Sequence, residues 1–291
     1  MKLRRILCLV LALLFIMMAG CGNKPAANVK DDPAQTPPTD PVDPVDPVDE
    51  KNYRILFVGN SSTFYNDMPT AIFKKMVQAA GHKVEVVSIT KSSYTLEKYA
   101  DVNDEMGAML EKMLSGEKKY DYVVIQDLTR RPTANIKMFY EPTRYLIDRI
   151  RQAGAEPVLY ATIARPDGDP QLVTDGLDQY GMTCRAAAAY QAMGDEKNVL
   201  VAHAGTAFYN VDKNTDIGVY HTDLQHPNYA GSFVIAATIY ATIYNEDPTQ
   251  LDYRGMLAQE KADIRLEEAR KVVFEPLEIP AEHTQFAQEN L

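Results

Sequence analysis

Short apolar runs alternate along this chain with longer stretches that carry apolar residues at helical spacing. The apolar runs have the length of buried β-strands, and we predict strands at residues 53–58, 83–89, 121–126, 157–163 and 198–203. In the other stretches we predict helices at residues 67–81, 95–114, 138–153, 181–193 and 228–244. Because strands and helices alternate and their connections are short, the pattern predicts a parallel sheet covered by helices on both faces.

The pattern also divides the chain into regions. Residues 228–244 are apolar on nearly every face, which predicts a buried helix. Residues 253–273 carry charges of both signs and are predicted to be helical. We therefore assign residues 52–246 to one α/β domain and residues 247–291 to a C-terminal helical extension packed on the same domain.

The first twenty residues have a different character. Three basic residues at positions 2, 4 and 5 precede an unbroken apolar run at 6–18, which is typical of an export signal and too short to span a bilayer comfortably. Residues 18–21, Met-Ala-Gly-Cys, resemble the lipobox of bacterial lipoproteins. The resemblance implies that residues 1–20 are a signal peptide and that Cys21 is acylated, which would anchor the protein to a bacterial membrane outside the cytoplasm. An uncleaved anchor or a plain secretory peptide is the alternative, and it also predicts export.

A proline-rich segment follows Cys21. Residues 22–50 contain seven prolines and seven carboxylates, including Pro-Val-Asp repeats, and almost no residues that could fill a core. We assign residues 21–51 to the acylated cysteine and an extended tether.

Composition excludes some classes of protein. The formal charge of −10 over 291 residues argues against a nucleic-acid partner, because such proteins present a basic surface. Three cysteines, of which one is in the signal and one at the lipid site, leave no disulfide framework. The remaining Cys184 lies in an alanine-rich helical stretch and is predicted to be buried and inert.

Residues that could perform chemistry follow the predicted strands. Ser61 comes directly after the first strand, behind a glycine that permits a tight turn. A serine hydroxyl needs a base that is oriented by a third group, and Asp223 and His226 are spaced so that the carboxylate can fold back onto the imidazole. The Ser61 amide, residues 92–94 and residues 126–127 are candidates for stabilising an oxyanion.

These motifs together resemble the SGNH (GDSL-type) hydrolase family. The resemblance covers about residues 53–244 and rests on Gly-Asn-Ser at 59–61 and Asp-x-x-His at 223–226. It implies a three-layer α/β/α sandwich with a five-stranded parallel sheet like that of flavodoxin. It also implies that Ser61 is the nucleophile, His226 the base and Asp223 its partner, and that no cofactor or metal takes part.

The chain departs from the family pattern at three positions. Asn60 replaces the usual aspartate of the first block, and Ser93 stands nearest to the glycine of the second block. Gln126 would have to supply the amide that an asparagine supplies in the third block. These departures resemble a variant branch of the family that is secreted or lipid-anchored in bacteria. The implied oxyanion hole is formed by Ser61, Ser93 and Gln126.

The resemblance and the expected location at the cell envelope lead to a substrate prediction. We expect an ester of a short acyl group, acetyl above all, on a carbohydrate or another small molecule. Tyr65, Tyr94 and Arg165 lie on strand-end loops and are candidates for lining a sugar-binding cleft.

Two alternative functions remain open from the sequence. The first is an inactive glycan-binding lipoprotein on the same scaffold, because Ser93 and Gln126 alter the oxyanion hole. The second is a metal-dependent hydrolase that uses His221, Asp223 and His226, with His203 as a further candidate ligand. Without a metal, His203 is expected to be a structural histidine.

Overall fold

The computed structural model describes residues 50–216 and 218–291. The predicted signal peptide, Cys21 and most of the tether lie outside the described residues. In the described part of the chain, no helix has the length and apolar character needed to cross a membrane.

A parallel sheet forms the centre of the described structure. Its strands are β1 (Asn52–Gly59), β2 (Lys83–Thr90), β3 (Tyr122–Ile125), β4 (Glu156–Tyr160) and β5 (Leu200–Ala202). Their spatial order is β2-β1-β3-β4-β5, and every neighbouring pair is parallel. This is the doubly wound order of flavodoxin-type folds, and it confirms the predicted five-stranded sheet.

Helices cover both faces of this sheet. In chain order they are α1 (Ser61–Phe64), α2 (Lys74–Ala79), α3 (Leu96–Ala100), α4 (Glu105–Leu114), α5 (Arg130–Ala134), α6 (Ile136–Gln152), α7 (Pro170–Asp175), α8 (Gln179–Lys197), α9 (Ala204–Asn214), α10 (Tyr229–Tyr244), α11 (Gln259–Phe274) and α12 (Ala281–Glu289). Shorter 3₁₀ segments lie at Tyr65–Asp67 and Pro248–Gln250, and a π-helical segment at Met68–Phe73 leads into α2.

Alternate residues of the strands pack into two separate apolar cores. Ile55 and Phe57 of β1 face a core that they share with α2, α9, α10 and α11. Leu56 and Val58 face the opposite core, which includes residues of α3, α4, α6, α8 and α12. Because successive strand side chains point to opposite faces, an unbroken apolar strand requires cover on both sides. The three-layer α/β/α sandwich is therefore confirmed.

The register of the sheet brings several strand ends together at one edge. Gly59, the last residue of β1, pairs with Thr90 of β2, and Val58 pairs with Ile125, the last residue of β3. β1 lies between the next two strands of the chain, so the order reverses between β1 and β3. Open α/β sheets bind ligands outside the carboxyl ends of the strands at such a reversal.

The helix predicted at 95–114 is wrong as a single element, because the chain forms α3 and α4 separately. Thr95 caps α3, and the Asp104 carboxylate accepts a hydrogen bond from the Met106 amide at 2.9 Å and begins α4. Aspartate and threonine side chains compete for backbone amides, which favours helix ends at these residues. The sequence also missed α5, α7 and α9.

The C-terminal helices contribute to the same cores as the rest of the sandwich. Leu266 of α11 belongs to the first core and Ala287 of α12 to the second. Arg265 of α11 is fully buried, and its Nε donates to the Ala230 carbonyl oxygen at 3.0 Å. Helices α11 and α12 thus place side chains in the two cores that flank the sheet.

Candidate active site

The turn after β1 places Ser61 at the carboxyl edge of the sheet. Asn60 caps α1, and its Oδ1 accepts a hydrogen bond from the Ser62 amide at 3.1 Å. A Cβ atom on Gly59 would lie 2.5 Å from Thr63 Oγ1 and 2.8 Å from Gln126 Oε1, so the glycine makes room for these two side chains. Ser61 is therefore the first residue of a short helix, and its hydroxyl faces the space above the sheet.

Among the backbone amides of α1, that of Ser61 has no hydrogen-bond acceptor within the described residues. Of the first residues of α1, Ser62 donates to Asn60 Oδ1, and Thr63 and Phe64 donate to the Asn60 carbonyl oxygen. Among the described residues nothing accepts a hydrogen bond from the Ser61 N–H. An amide at a helix N-terminus that is left free in this way can donate to an anion.

Ser61, His226 and Asp223 form a continuous chain of hydrogen bonds. His226 Nε2 lies 2.8 Å from Ser61 Oγ, and His226 Nδ1 lies 2.7 Å from Asp223 Oδ2. In this arrangement Asp223 fixes the imidazole so that Nε2 can accept the serine proton. The structure brings together the three side chains that the sequence proposed as a triad.

The loop before α10 holds Asp223 and His226 in this geometry. Asp223 Oδ1 accepts hydrogen bonds from the amides of Gln225, at 2.9 Å, and His226, at 3.0 Å. Tyr220 and Pro227 form an antiparallel bridge that closes the base of the loop. The aspartate thus acts both as a turn residue and as the partner of the imidazole.

The surroundings of Asp223 favour its ionised form. Partial desolvation acts to raise its pKa, but hydrogen bonds from the His226 side chain and from the amides of Gln225 and His226 outweigh that effect. The net result is a pKa well below the usual range of an aspartate. A carboxylate that stays ionised can stabilise the imidazolium that forms when His226 takes a proton.

Tyr65 supports the imidazole from one side. Its ring stacks on His226 with 4.2 Å between ring centroids and 1° between ring planes, and its hydroxyl lies 3.5 Å from Asp223 Oδ2. The sequence proposed Tyr65 as a residue lining a sugar cleft. It instead packs against the imidazole and does not line the pocket beside Ser61.

The alternative metal site does not assemble. His221 and His226 both approach the same oxygen, Asp223 Oδ2, through their Nδ1 atoms, at 3.5 and 2.7 Å. Both ring nitrogens of His226 are engaged, Nδ1 by Asp223 and Nε2 by Ser61. Across residues 50–216 and 218–291, no group of three or more His, Cys, Asp or Glu side chains has the arrangement of a metal site.

A pocket of about 230 Å³ opens beside Ser61 and His226. Its walls come from the loops after β1, β2, β3 and β4 and from the loop before α10. The lining residues are Asn60, Ser61, Ser62, Ser92, Ser93, Leu128, Thr129, Arg130, Arg165, Gln171, Gln225 and His226. Most of these side chains are polar, so the pocket suits a small, polar substrate.

Ser93 enters the pocket from a turn with an unusual backbone conformation. The Tyr94 amide donates to the Lys91 carbonyl oxygen at 3.2 Å, and Ser93 has a φ of 57°. This left-handed region favours glycine, the residue that the SGNH family resemblance implies at this position. The serine therefore keeps a glycine-like backbone, and its amide has no acceptor among the described residues.

Gln126 does not occupy the place proposed for it, so the prediction that its amide completes the oxyanion hole is wrong. Its Oε1 accepts hydrogen bonds from the Asn60 amide at 3.2 Å and from Thr63 Oγ1 at 2.8 Å. Its Nε2 donates to the Asp127 carbonyl oxygen and to Thr162 Oγ1. Because every polar atom of this buried amide is used within the fold, Gln126 braces the turn below Ser61 and does not face the pocket.

Asp127 is buried beside this brace. Its Oδ1 accepts hydrogen bonds from the amides of Leu96 and Leu128, and its Oδ2 is buried without a hydrogen-bond partner in the described structure. Burial raises its pKa to about 7, and the two amide hydrogen bonds offset only part of that effect. Asp127 does not line the pocket, and its hydrogen bonds join the start of α3 to the loop after β3.

Three other candidate residues lie away from the reacting atoms. Tyr94 is buried and its hydroxyl donates to Asp104, so it does not line the pocket. His203 is buried, with Nε2 2.8 Å from Gln191 Oε1, and burial lowers its pKa to about 4. Cys184 is a buried free thiol whose pKa is raised by desolvation. His203 and Cys184 therefore have the structural character expected of them.

Several pocket residues were not singled out from the sequence. Thr129, Arg130, Gln171 and Gln225 lie on loops and short helices whose path depends on tertiary packing. Arg165 was proposed, and of the three aromatic and basic candidates it alone lines the pocket. Position directly after a predicted strand was the only sequence signal that marked these loops.

Comparisons with known proteins agree with this architecture. No family model and no curated protein matches the chain. Among solved structures, a protein from Slackia heliotrinireducens, provisionally described as an SGNH hydrolase, is 26% identical with a TM-score of 0.57 over 66% of this chain and 99% of that one. A DUF4886 family protein from Bacteroides uniformis is 17% identical with a TM-score of 0.66 over 79% of this chain and 97% of that one. The fold is thus shared with both of these proteins, the first of which is described as an SGNH-type hydrolase.

Proposed function

We propose that this protein is a serine esterase that forms an acyl-enzyme on Ser61. The observation that carries the proposal is the hydrogen-bond chain from Ser61 Oγ through His226 to Asp223 at 2.8 and 2.7 Å. The pocket beside that chain and the structural similarity to an SGNH-type protein support the same reaction.

The geometry supports a two-step acyl transfer. Ser61 Oγ attacks the ester carbonyl carbon while His226 Nε2 takes the hydroxyl proton, and the resulting oxyanion accepts hydrogen bonds from the free amides of Ser61 and Ser93. The carbon–oxygen bond to the alcohol then breaks, and His226 returns the proton to the leaving alcohol. Water attacks the acyl-enzyme with His226 again as base, which releases the acid and restores the Ser61 hydroxyl.

The favoured substrate is a short acyl ester, acetyl above all, of a carbohydrate or another small polar alcohol. The pocket volume of about 230 Å³ favours a small acyl group, and its polar lining favours an oxygen-rich alcohol over a lipid. Gln171 and Gln225 line the pocket and can supply hydrogen-bond donors to that alcohol.

Substitution of Ser61 tests the mechanism. Ser61→Ala should abolish hydrolysis of p-nitrophenyl acetate and labelling by a fluorophosphonate, while Ser115→Ala, a surface serine on α4's C-terminal end, should change neither. His226→Ala should reduce turnover nearly as far. Full activity of Ser61→Ala would exclude the mechanism. A folded wild-type protein that binds glycans but is not labelled by the fluorophosphonate would favour an inactive binding module.

The cellular setting is part of the same proposal and rests on the N-terminal sequence. We expect Cys21 to be acylated after removal of residues 1–20, so that the tether holds the esterase at a bacterial membrane outside the cytoplasm. Metabolic labelling with an alkyne fatty acid should tag the wild type and not Cys21→Ala. A labelled Cys21→Ala protein would contradict the assignment.

A further inference from the structure

The pocket beside Ser61 contains an arginine whose hydrogen-bond donors are not used. Arg165 follows β4 and lines the same pocket as Ser61 and His226. Its Nε and Nη1 atoms are buried and have no hydrogen-bond partner within the described residues. These two nitrogens are closed off from solvent, and no other hydrogen bond of this guanidinium is formed within the described residues. The part of the guanidinium that lines the pocket can therefore donate to an acceptor supplied by a ligand.

The nearest carboxylate does not meet this need. Asp169 Oδ2 lies 4.0 Å from Arg165 Nε, which is beyond hydrogen-bond distance. Asp169 Oδ1 is used elsewhere, since it caps α7 by accepting from the Gln171 amide at 2.8 Å. Asp169 therefore stabilises the charge of Arg165 at a distance without forming a hydrogen bond to its guanidinium.

The backbone around Arg165 is held in place. The Ala164 carbonyl oxygen accepts from the Tyr220 hydroxyl at 3.0 Å, and the Arg165 amide donates to Met182 Sδ at 3.4 Å. Two residues further on, the Asp167 carboxylate accepts from the Gln179 amide at 3.1 Å. A guanidinium on such a braced loop is positioned before any ligand arrives, which lowers the entropic cost of binding.

The charge of the pocket contrasts with that of the chain. The chain carries a formal charge of −10, yet two arginines and no carboxylate line this pocket. Arg130 is engaged by Asp175, to which its Nε donates at 2.9 Å. Arg165 is thus the cation of the pocket that is available to a substrate, and it marks a local positive site on an acidic protein.

We propose that the ester substrate carries an anionic group of the carboxylate type and that Arg165 binds this group beside Ser61. This inference rests on the proposed esterase function and specifies its substrate. The anion can belong to the acyl part, as in the half-ester of a dicarboxylic acid, or to the alcohol part, as in an acylated acidic sugar. In both cases the guanidinium donates charge-assisted hydrogen bonds to the carboxylate.

Matched pairs of esters test the proposal and separate its two sources. Monoethyl succinate against ethyl butyrate places the anion in the acyl part, and 4-acetoxybenzoate against 4-acetoxybenzamide places it in the alcohol part. We expect the wild type to prefer the anionic member of one pair by at least about 10-fold in kcat/KM. Arg165→Gln should lose about 10- to 100-fold on that ester, mainly through KM, and change its neutral partner by less than about 2-fold.

Control variants distinguish a specific contact from a change in net charge. Lys112→Gln removes one exposed positive charge on α4, far from the pocket lining, and should leave both pairs unchanged. If the wild type hydrolyses both members of both pairs at equal rates, the inference is overturned, but the proposed esterase function is not. An equal loss by Arg165→Gln on neutral and anionic esters would also overturn it.

A binding measurement makes the test independent of turnover. Calorimetric titration of Ser61→Ala with 4-acetoxybenzoate and with monoethyl succinate should show saturable binding of at least one, and Arg165→Gln in the same background should weaken it about 10-fold or more. If no ester is hydrolysed and Ser61 is not labelled, the esterase proposal fails, and this titration still decides the role of Arg165. Absence of Arg165-dependent binding would refute the anion site.

Discussion

The ring of Tyr65 lies parallel to the imidazole of His226, with 4.2 Å between their centroids. The two residues are far apart in sequence, but Tyr65 directly follows α1, the short helix that begins at Ser61. The segment that supplies the nucleophile therefore also supplies the surface against which the base is held. This links the positions of Ser61 and His226 more tightly than their shared hydrogen bond alone.

Removal of the Tyr65 ring should weaken catalysis. Tyr65→Ala is expected to lower kcat for p-nitrophenyl acetate about 2- to 10-fold, because a stacked aromatic pair contributes about 0.5–1.5 kcal/mol. Tyr65→Phe keeps the ring and loses only the long contact with Asp223, so it should remain close to the wild type. A phenylalanine variant as slow as the alanine variant would show that the hydroxyl, and not the stack, positions His226.

Loss of the Asp223 carboxylate should lower kcat more than loss of the Tyr65 ring. Asp223→Asn is expected to lower kcat by about 10²- to 10⁴-fold, because the amide favours the wrong imidazole tautomer and no longer stabilises the imidazolium. Steady-state kinetics alongside thermal unfolding would separate this effect from a disturbed loop, since Asp223 Oδ1 also accepts two backbone amides. Near-normal turnover by a folded Asp223→Asn protein would contradict the triad.

Ser93 offers a test of which group completes the oxyanion hole. Because we assign the contribution to its backbone amide, Ser93→Ala should keep kcat within about 3-fold of the wild type. Ser93→Gly should also stay active and should stabilise the protein by up to about 1 kcal/mol, since the φ of 57° favours glycine. A loss of 100-fold or more in Ser93→Ala, measured as kcat, would assign the role to the hydroxyl.

Asp127 should make stability depend on pH. Its pKa in the folded protein is raised to about 7, above the ordinary value in the unfolded chain. Between pH about 4 and pH 7 the folded state holds a proton that the unfolded state has released, so the free energy of unfolding falls as pH rises. The fall is at most about 1.4 kcal/mol per pH unit.

Asp127→Asn isolates this effect. The variant keeps an oxygen for the Leu96 and Leu128 amides and cannot ionise. Urea unfolding should show it more stable than the wild type at pH 8, with the difference shrinking toward pH 4. The same difference at both pH values would show that Asp127 does not titrate in this way.

Local sequence pattern was sufficient to predict the alternation of strands and helices, and with it the parallel sheet and the positions of Ser61 and His226 at strand-end loops. Those features follow from local hydrophobic periodicity and from glycine, proline and capping residues, which act over a few neighbouring positions. The single helix expected at 95–114 failed because side-chain caps at its centre outweighed a weak periodicity.

The contacts of each candidate side chain could be known only from the packed fold. It turned Gln126 inward as a brace, stacked Tyr65 on His226 and placed Arg165 in the pocket lining without a hydrogen bond from its guanidinium to any described residue. These outcomes depend on contacts between residues that are distant in sequence, and hydrogen-bond partners of that kind leave no periodic signal. A strand-end position can be read from local pattern, whereas the direction of a side chain is set by the loops packed around it.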